Sequence, residues 1–162
     1  MLLPSIEGLS IDLPEIQELD ARAIIEAKLE AAKARHDGRF IVEDTSLHFD
    51  SLNGLPGPLI KWFLKTIGND GLYRLAQTFG TPARATTCLG YMDEHGQTHF
   101  FEGSIPGAIV APRGNDGFGW DPIFEVSGTS KTFAEMTKSE KQSCSMRKAA
   151  VEQLKQHLTL QQ

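Results

Sequence analysis

Apolar residues recur at helical spacing in several parts of the chain, with short apolar runs between them. Over residues 21–35, Ile25, Leu29 and Ala32 share one face among strong helix formers, and Asp20 stands where an N-cap belongs. His36, Asp37 and Gly38 end that helix. Leu59, Phe63 and Ile67 mark a second helical face, with Pro58 as its first residue and Gly68 as its stop. A short helix is expected over 71–79, and a final one over 139–158, with Val151, Leu154 and Leu158 facing inward. Between these lie strand patterns. Phe40, Ile41 and Val42 suit a buried strand over 39–43. Stretches 85–92 and 98–102 flank the Gly-containing loop 93–97 as a hairpin, and 107–111 reads as a third strand. Pro4 and Pro14 leave residues 1–19 extended or irregular. Helices at both ends of a β-rich middle imply one α/β domain over residues 1–162, with no repeat and no linker.

Composition narrows the function classes. The chain has 162 residues, enough to bury a sizeable core in one domain. Its formal charge of -5 argues against a non-specific nucleic-acid binder, which needs a basic face. A pocket for one polyanion needs only a few local Lys and Arg. No apolar stretch reaches the length of a membrane span, and residues 1–10 lack the basic start and apolar run of a signal peptide. Cys88 and Cys144 suit neither a disulfide framework nor a zinc site. The expectation is a soluble cytoplasmic protein with no nucleic-acid or membrane partner.

Four stretches carry candidate chemistry. At the end of the first strand, Val42-Glu43-Asp44-Thr45 offers two adjacent carboxylates. Mg²⁺ favours one or two carboxylates plus substrate phosphates, but neighbours in a strand point to opposite faces, so one of the two is expected to face a given pocket. Taken alone, the stretch reads better as a polar strand end. Gly54-Leu55-Pro56-Gly57-Pro58 runs into a helix whose first turn holds Lys61. That suits an anion site and a structural turn about equally, the latter with Trp62 and Phe63 toward the core. Phe118-Gly119-Trp120-Asp121-Pro122 follows a glycine-rich loop. An aromatic ring there can stack on a base while backbone N–H groups and a carboxylate read its edge, and the tight Gly/Pro framing favours this over a buried anchor. In the last helix Lys141 and Ser145 share a face, whereas Arg147 points elsewhere unless the helix start is irregular; unaided, this reads as a solvated face. The five histidines show no metal-ligand spacing, and no Walker loop, Rossmann glycine motif or nucleophile elbow is present.

Taken together and in order, these pieces resemble the inosine triphosphate pyrophosphatases, the Ham1-like family. The matching stretches are Ile11-Asp12-Leu13-Pro14-Glu15, Val42 to Leu47, Gly54 to Pro58 with Lys61-Trp62-Phe63, Phe118 to Pro122, and Glu140-Lys141 followed by Ser145-Met146-Arg147. The resemblance implies a long twisted mixed β-sheet with helices on both sides, in two lobes around a central groove, and a homodimer. It implies hydrolysis of purine nucleoside triphosphates carrying a 6-keto group, such as inosine and xanthosine triphosphates, to the monophosphate and pyrophosphate. Glu15 and Asp44 would handle Mg²⁺ and the attacking water. Lys28 would contact phosphate, and Thr45, Lys61, Gly119 and Lys141 would lie along the substrate. Phe118 would stack on the base, and Trp120, Asp121 and Arg147 would recognise its 6-keto edge.

Two departures accompany the resemblance. The family's opening strand and helix are joined by a Thr-Gly-Asn turn and a lysine that cradle the triphosphate; no Thr-Gly-Asn occurs here, and Gly68-Asn69 is no substitute. Loss of those contacts implies reduced or altered activity and an exposed sheet edge. Met146 stands where the family has His, so it can pack against a base but cannot donate a hydrogen bond. A nucleotide- or protein-binding relative without turnover, and a bare scaffold, are the alternatives from other classes.

Overall fold

The computed structural model describes residues 6–160; the expectation for residues 1–5 lies outside them. Residues 6–19 are irregular, as Pro14 requires. The helix α1, Ala21–Lys33, starts at Asp20, whose carboxylate accepts from the backbone N–H of Arg22. Strands β1 (Phe40–Phe49), β2 (Pro56–Gly57), β3 (Pro82–Met92), β4 (Thr98–Ile109) and β5 (Phe124–Val126) form one sheet in the order β2-β1-β3-β4-β5. Every pairing among them is antiparallel, where a mixed sheet was implied. The β3–β4 hairpin turns at Asp93, whose carboxylate accepts from the N–H groups of His95 and Gln97.

Two strands run longer than their local pattern. The apolar run of β1 stops at Val42, yet the strand continues to Phe49 because β3 pairs with it from Met92 back to Ala83. Glu43, Asp44 and Thr45 therefore sit mid-strand and not at a strand end. The expected third strand at 107–111 is the continuation of β4, held by β3 out to the Pro82–Ala108 pair.

Side-chain alternation sets the layers. Phe40, Val42, Cys88, Met92 and Phe100 face Ile25 and Leu29 of α1. Ile41, Leu89, Tyr91 and Phe101 face Ala150 and Leu154 of α4, Met146–Leu160, on the opposite side. Both helices come close: a Cβ at Gly90 would lie 2.1 Å from Ile25 Cγ2, and one at Gly103 would lie 1.9 Å from the Met146 carbonyl oxygen. The largest cluster joins Leu47 and Phe49 to α2, Ile60–Phe79, and to Ile123, Phe124 and Phe133.

The helices correct three expectations. Pro58 lies in the turn before α2, which begins at Ile60. Gly68 interrupts α2 with a left-handed φ of 65° and does not end it; the backbone resumes through 71–79. The single last helix is two: α3, Lys138–Cys144, and α4, separated by Ser145 in extended conformation. Thr137 and Glu140 form a capping box that starts α3, and the Ser145 hydroxyl accepts from the Arg147 N–H to start α4. No helix among the described residues is long and apolar enough to cross a membrane.

Candidate active site

From Phe40 to Ser46, β1 has β3 on one side and no strand on the other among the described residues; β2 pairs only with Leu47 and His48. A groove follows this edge. Side chains from both faces of a strand reach a space that wraps around its edge, so Glu43 and Asp44 line the same cavity despite opposite orientations. The cavity is about 860 Å³ and adjoins a second of about 590 Å³; Glu15, Lys28, Glu43 and Lys61 border both. The expectation that one of the two carboxylates faces the pocket is therefore corrected.

At one end two carboxylates meet two lysines. Lys28 projects from the buried face of α1, its ammonium 3.6 Å from Asp44 Oδ1, 4.0 Å from Glu15 Oε1, and donating to the Glu43 carbonyl at 3.4 Å. Lys61 donates to Glu15 Oε2. Glu15 reaches the site from the irregular segment, which Arg35 ties down by donating to the Asp12 carbonyl at 2.5 Å. The Lys61 hydrogen bond draws the Glu15 carboxyl below its ordinary range, against burial and with help from the charges of Lys61 and Lys28. Burial pushes Asp44 up, against the Lys28 charge and the Ser46 hydroxyl, which donates to Oδ2 at 3.3 Å. Thr45 lines the cavity with its hydroxyl 3.3 Å from that of Thr87.

At the other end the break at Ser145 turns α4 so that Arg147, with Lys141 of α3, borders the same cavity. Arg147 makes a bidentate pair with Glu43, Nε to Oε2 at 2.9 Å and Nη2 to Oε1 at 2.6 Å. Lys141 donates to Asp121 Oδ2, which also accepts from the Phe118 N–H at 2.9 Å. Phe118 is 90% exposed, an apolar ring held at the rim with no core role. Trp120 differs: it is buried against Phe124 and Phe133 with ring centroids at 5.7 and 6.2 Å, so its ring anchors the loop while one edge lines the cavity. Met146 is likewise a core residue whose edge reaches the cavity.

Sequence reasoning misses the roles of two contributors. Glu43 is legible only as a carboxylate beside Asp44, because its partner lies 104 residues away. Asn69 donates to the Gly119 carbonyl at 3.0 Å and pins the Phe118 loop; its Oδ1 is buried with no partner among the described residues. The Thr137–Glu140 capping box and the capping serine at 145 were the available signals for the broken helix.

The four cations of the cavity, Lys28, Lys61, Lys141 and Arg147, each lie against a carboxylate, respectively Asp44, Glu15, Asp121 and Glu43. Their formal charges cancel. No group of three or more His, Cys, Asp or Glu among the described residues forms a metal cage. Glu15 and Asp44, converging on Lys28, form a two-carboxylate donor set, which suits a hard divalent cation shared with phosphates.

Residues 3–157 match the Ham1 family. The chain is 44% identical over 155 residues to the inosine triphosphate pyrophosphatase of Schizosaccharomyces pombe, covering 94% of this chain and 82% of that protein. It is 42% identical over 153 residues to the enzyme of the same name from Saccharomyces cerevisiae, covering 92% and 78%. Among solved structures it resembles the Staphylococcus aureus Ham1 protein, with a TM-score of 0.78, 27% identity and coverage of 94% and 82%. It also resembles a Mycobacterium abscessus nucleoside-triphosphatase / dITP/XTP pyrophosphatase, with a TM-score of 0.72, 25% identity and coverage of 93% and 82%.

Proposed function

The chain belongs to the Ham1 family, and on that premise we propose that it is a pyrophosphatase hydrolysing 6-keto purine nucleoside triphosphates, of the inosine and xanthosine type, to the monophosphate and pyrophosphate. The observation that carries this reading is one cavity with carboxylates and lysines at one end and an exposed ring with paired donors at the other. That polarity suits a triphosphate in line with a purine.

Water attacks phosphorus, the bond between the α- and β-phosphates breaks, and pyrophosphate leaves. Asp44 orients that water and takes its proton, a role supported by its place in the cavity wall beside Lys28. Lys28 and Lys61 exchange their carboxylate partners for phosphate oxygens. Because the site's own charges cancel, a triphosphate needs positive charge brought with it. Glu15 and Asp44 would hold Mg²⁺, which neutralises phosphate charge and lowers the pKa of bound water. Phe118 stacks on the base, and Arg147 and Lys141 present donors to its edge. Adenine places an amino donor where inosine has a keto acceptor, so Arg147 rejects it by an unpaired polar contact. Thr45, Gly119, Trp120, Asp121 and Met146 shape the wall. The same reading takes the chain as one such domain, working as a homodimer in the cytoplasm, where free Cys88 and Cys144 are at home.

The test is pyrophosphate release from inosine, xanthosine, guanosine and adenosine triphosphates with Mg²⁺. Turnover favouring the 6-keto purines is expected. No turnover of any of them refutes the proposal, and calorimetry with the same nucleotides then separates a binder from a scaffold.

A further inference from the structure

Glu43 and Arg147 come from β1 and α4, and nothing in either element's folding requires them to meet. Their pair is exposed, with side chains 40% and 58% accessible, so it contributes little to stability. Its geometry is nevertheless specific. Both carboxylate oxygens engage the guanidinium, through Nε and Nη2, which fixes its plane. A guanidinium carries five N–H donors, and this pairing consumes two. Among the described residues both Nη1 hydrogens and one on Nη2 remain, all donors, beside the cavity lined by Phe118 and Lys141.

Strand alternation explains why Glu43 has this role. Glu43 lies on the α4 face of β1, beside Leu89, while Asp44 faces α1 beside Cys88. The Glu43 carbonyl accepts from Lys28, so one residue joins the guanidinium at the base end to the lysine at the phosphate end. Asp121 treats Lys141 in a comparable way, holding the ammonium and the Phe118 N–H with one oxygen.

We infer that Glu43 is a positioning residue for purine selection: it clamps the Arg147 guanidinium so that its free N–H donors face an acceptor at the 6-position of the base. The inference rests on the function proposed above. Without the clamp, Arg147 is a long exposed side chain free to leave the cavity, and donors that are not held in place discriminate poorly.

The experiment compares kcat/KM for inosine triphosphate with that for purine riboside triphosphate, which lacks the 6-oxygen, in the parent protein, Glu43→Gln, Arg147→Met and the double variant. Glu43→Gln is expected to cut the preference for inosine triphosphate roughly tenfold, the scale of one charge-assisted hydrogen bond, mostly through KM. On the unsubstituted purine the loss is expected to be smaller than on inosine triphosphate, and Glu43→Gln should cost no further preference in the Arg147→Met background. Melting temperatures, expected to change by no more than about 4 °C, report the fold. Glu43→Asp, which keeps the charge but is too short to span both nitrogens, is expected to fall between parent and Glu43→Gln. Equal loss on both substrates, additive effects in the double variant, or an unchanged preference each overturn the inference while leaving the pyrophosphatase reading intact. A parent protein that turns over neither substrate overturns that reading, and this inference with it.

Discussion

The seat of α4 on the sheet depends on the missing side chain at Gly103. An ideal Cβ there would lie 1.9 Å from the Met146 carbonyl oxygen, 2.9 Å from its carbonyl carbon and 3.0 Å from Ala149 Cβ. Even a weak C–H···O contact needs about 3.3 Å, so Gly103→Ala must push the first turn of α4 outward by roughly 1.4 Å. The obstacle is backbone, and no rotamer change relieves it. Overpacking of this kind costs about 1–3 kcal/mol. For a domain of this size each kcal/mol lowers Tm by about 2–4 °C, so the expected loss is roughly 2–12 °C. Met146 and Arg147 ride on that turn, so KM for inosine triphosphate should rise as well. Differential scanning calorimetry on Gly103→Ala, with Gly8→Ala as the control because nothing lies within 4 Å of its Cβ, decides the point. A Gly103→Ala protein melting within about 1 °C of the parent refutes the reasoning.

Three further outcomes are expected. Leu29→Ala removes a fully buried side chain between α1 and β3, and should cost about 2–5 kcal/mol in urea unfolding. Phe118→Ala should leave Tm unchanged, since the ring is exposed, but weaken purine triphosphate binding by about 1–3 kcal/mol in calorimetry; unchanged affinity would remove its stacking role. Asp93 is held down to about 2 from 3.8, first by the side-chain hydrogen bond with His99 and then by the N–H groups of Gln97 and His95. A depressed carboxyl stabilises above its unfolded value and loses that contribution as pH falls through its folded value. Asp93→Asn should therefore melt below the parent at neutral pH, with the gap closing as pH falls from about 4 to about 2; a gap that stays constant over that range would count against the linkage.

Short-range features were legible in the chain itself. The Ile25–Leu29–Ala32 spacing and Asp20 define α1, because helix periodicity and capping are complete within a few residues. The hairpin at 93–97 is equally local, and family-level motifs place Glu15, Lys28, Asp44, Phe118, Asp121, Lys141 and Arg147 along the chain in an order that survives without coordinates. The tertiary structure decided what depends on partners far away in sequence. It lengthened β1 through polar Glu43, Asp44 and Thr45 because β3 satisfies their backbone groups. It carried β4 through Gly103 and Gly107, poor strand formers alone, because α4 and Phe124 need the space their side chains would fill. It broke the last helix at Ser145 so that Lys141 and Arg147 border one cavity, and it paired Arg147 with a carboxylate 104 residues away. Propensity and periodicity act over a turn or two of chain, whereas pairing across a sheet edge is set by which distant surfaces pack, and that information lies in the fold as a whole.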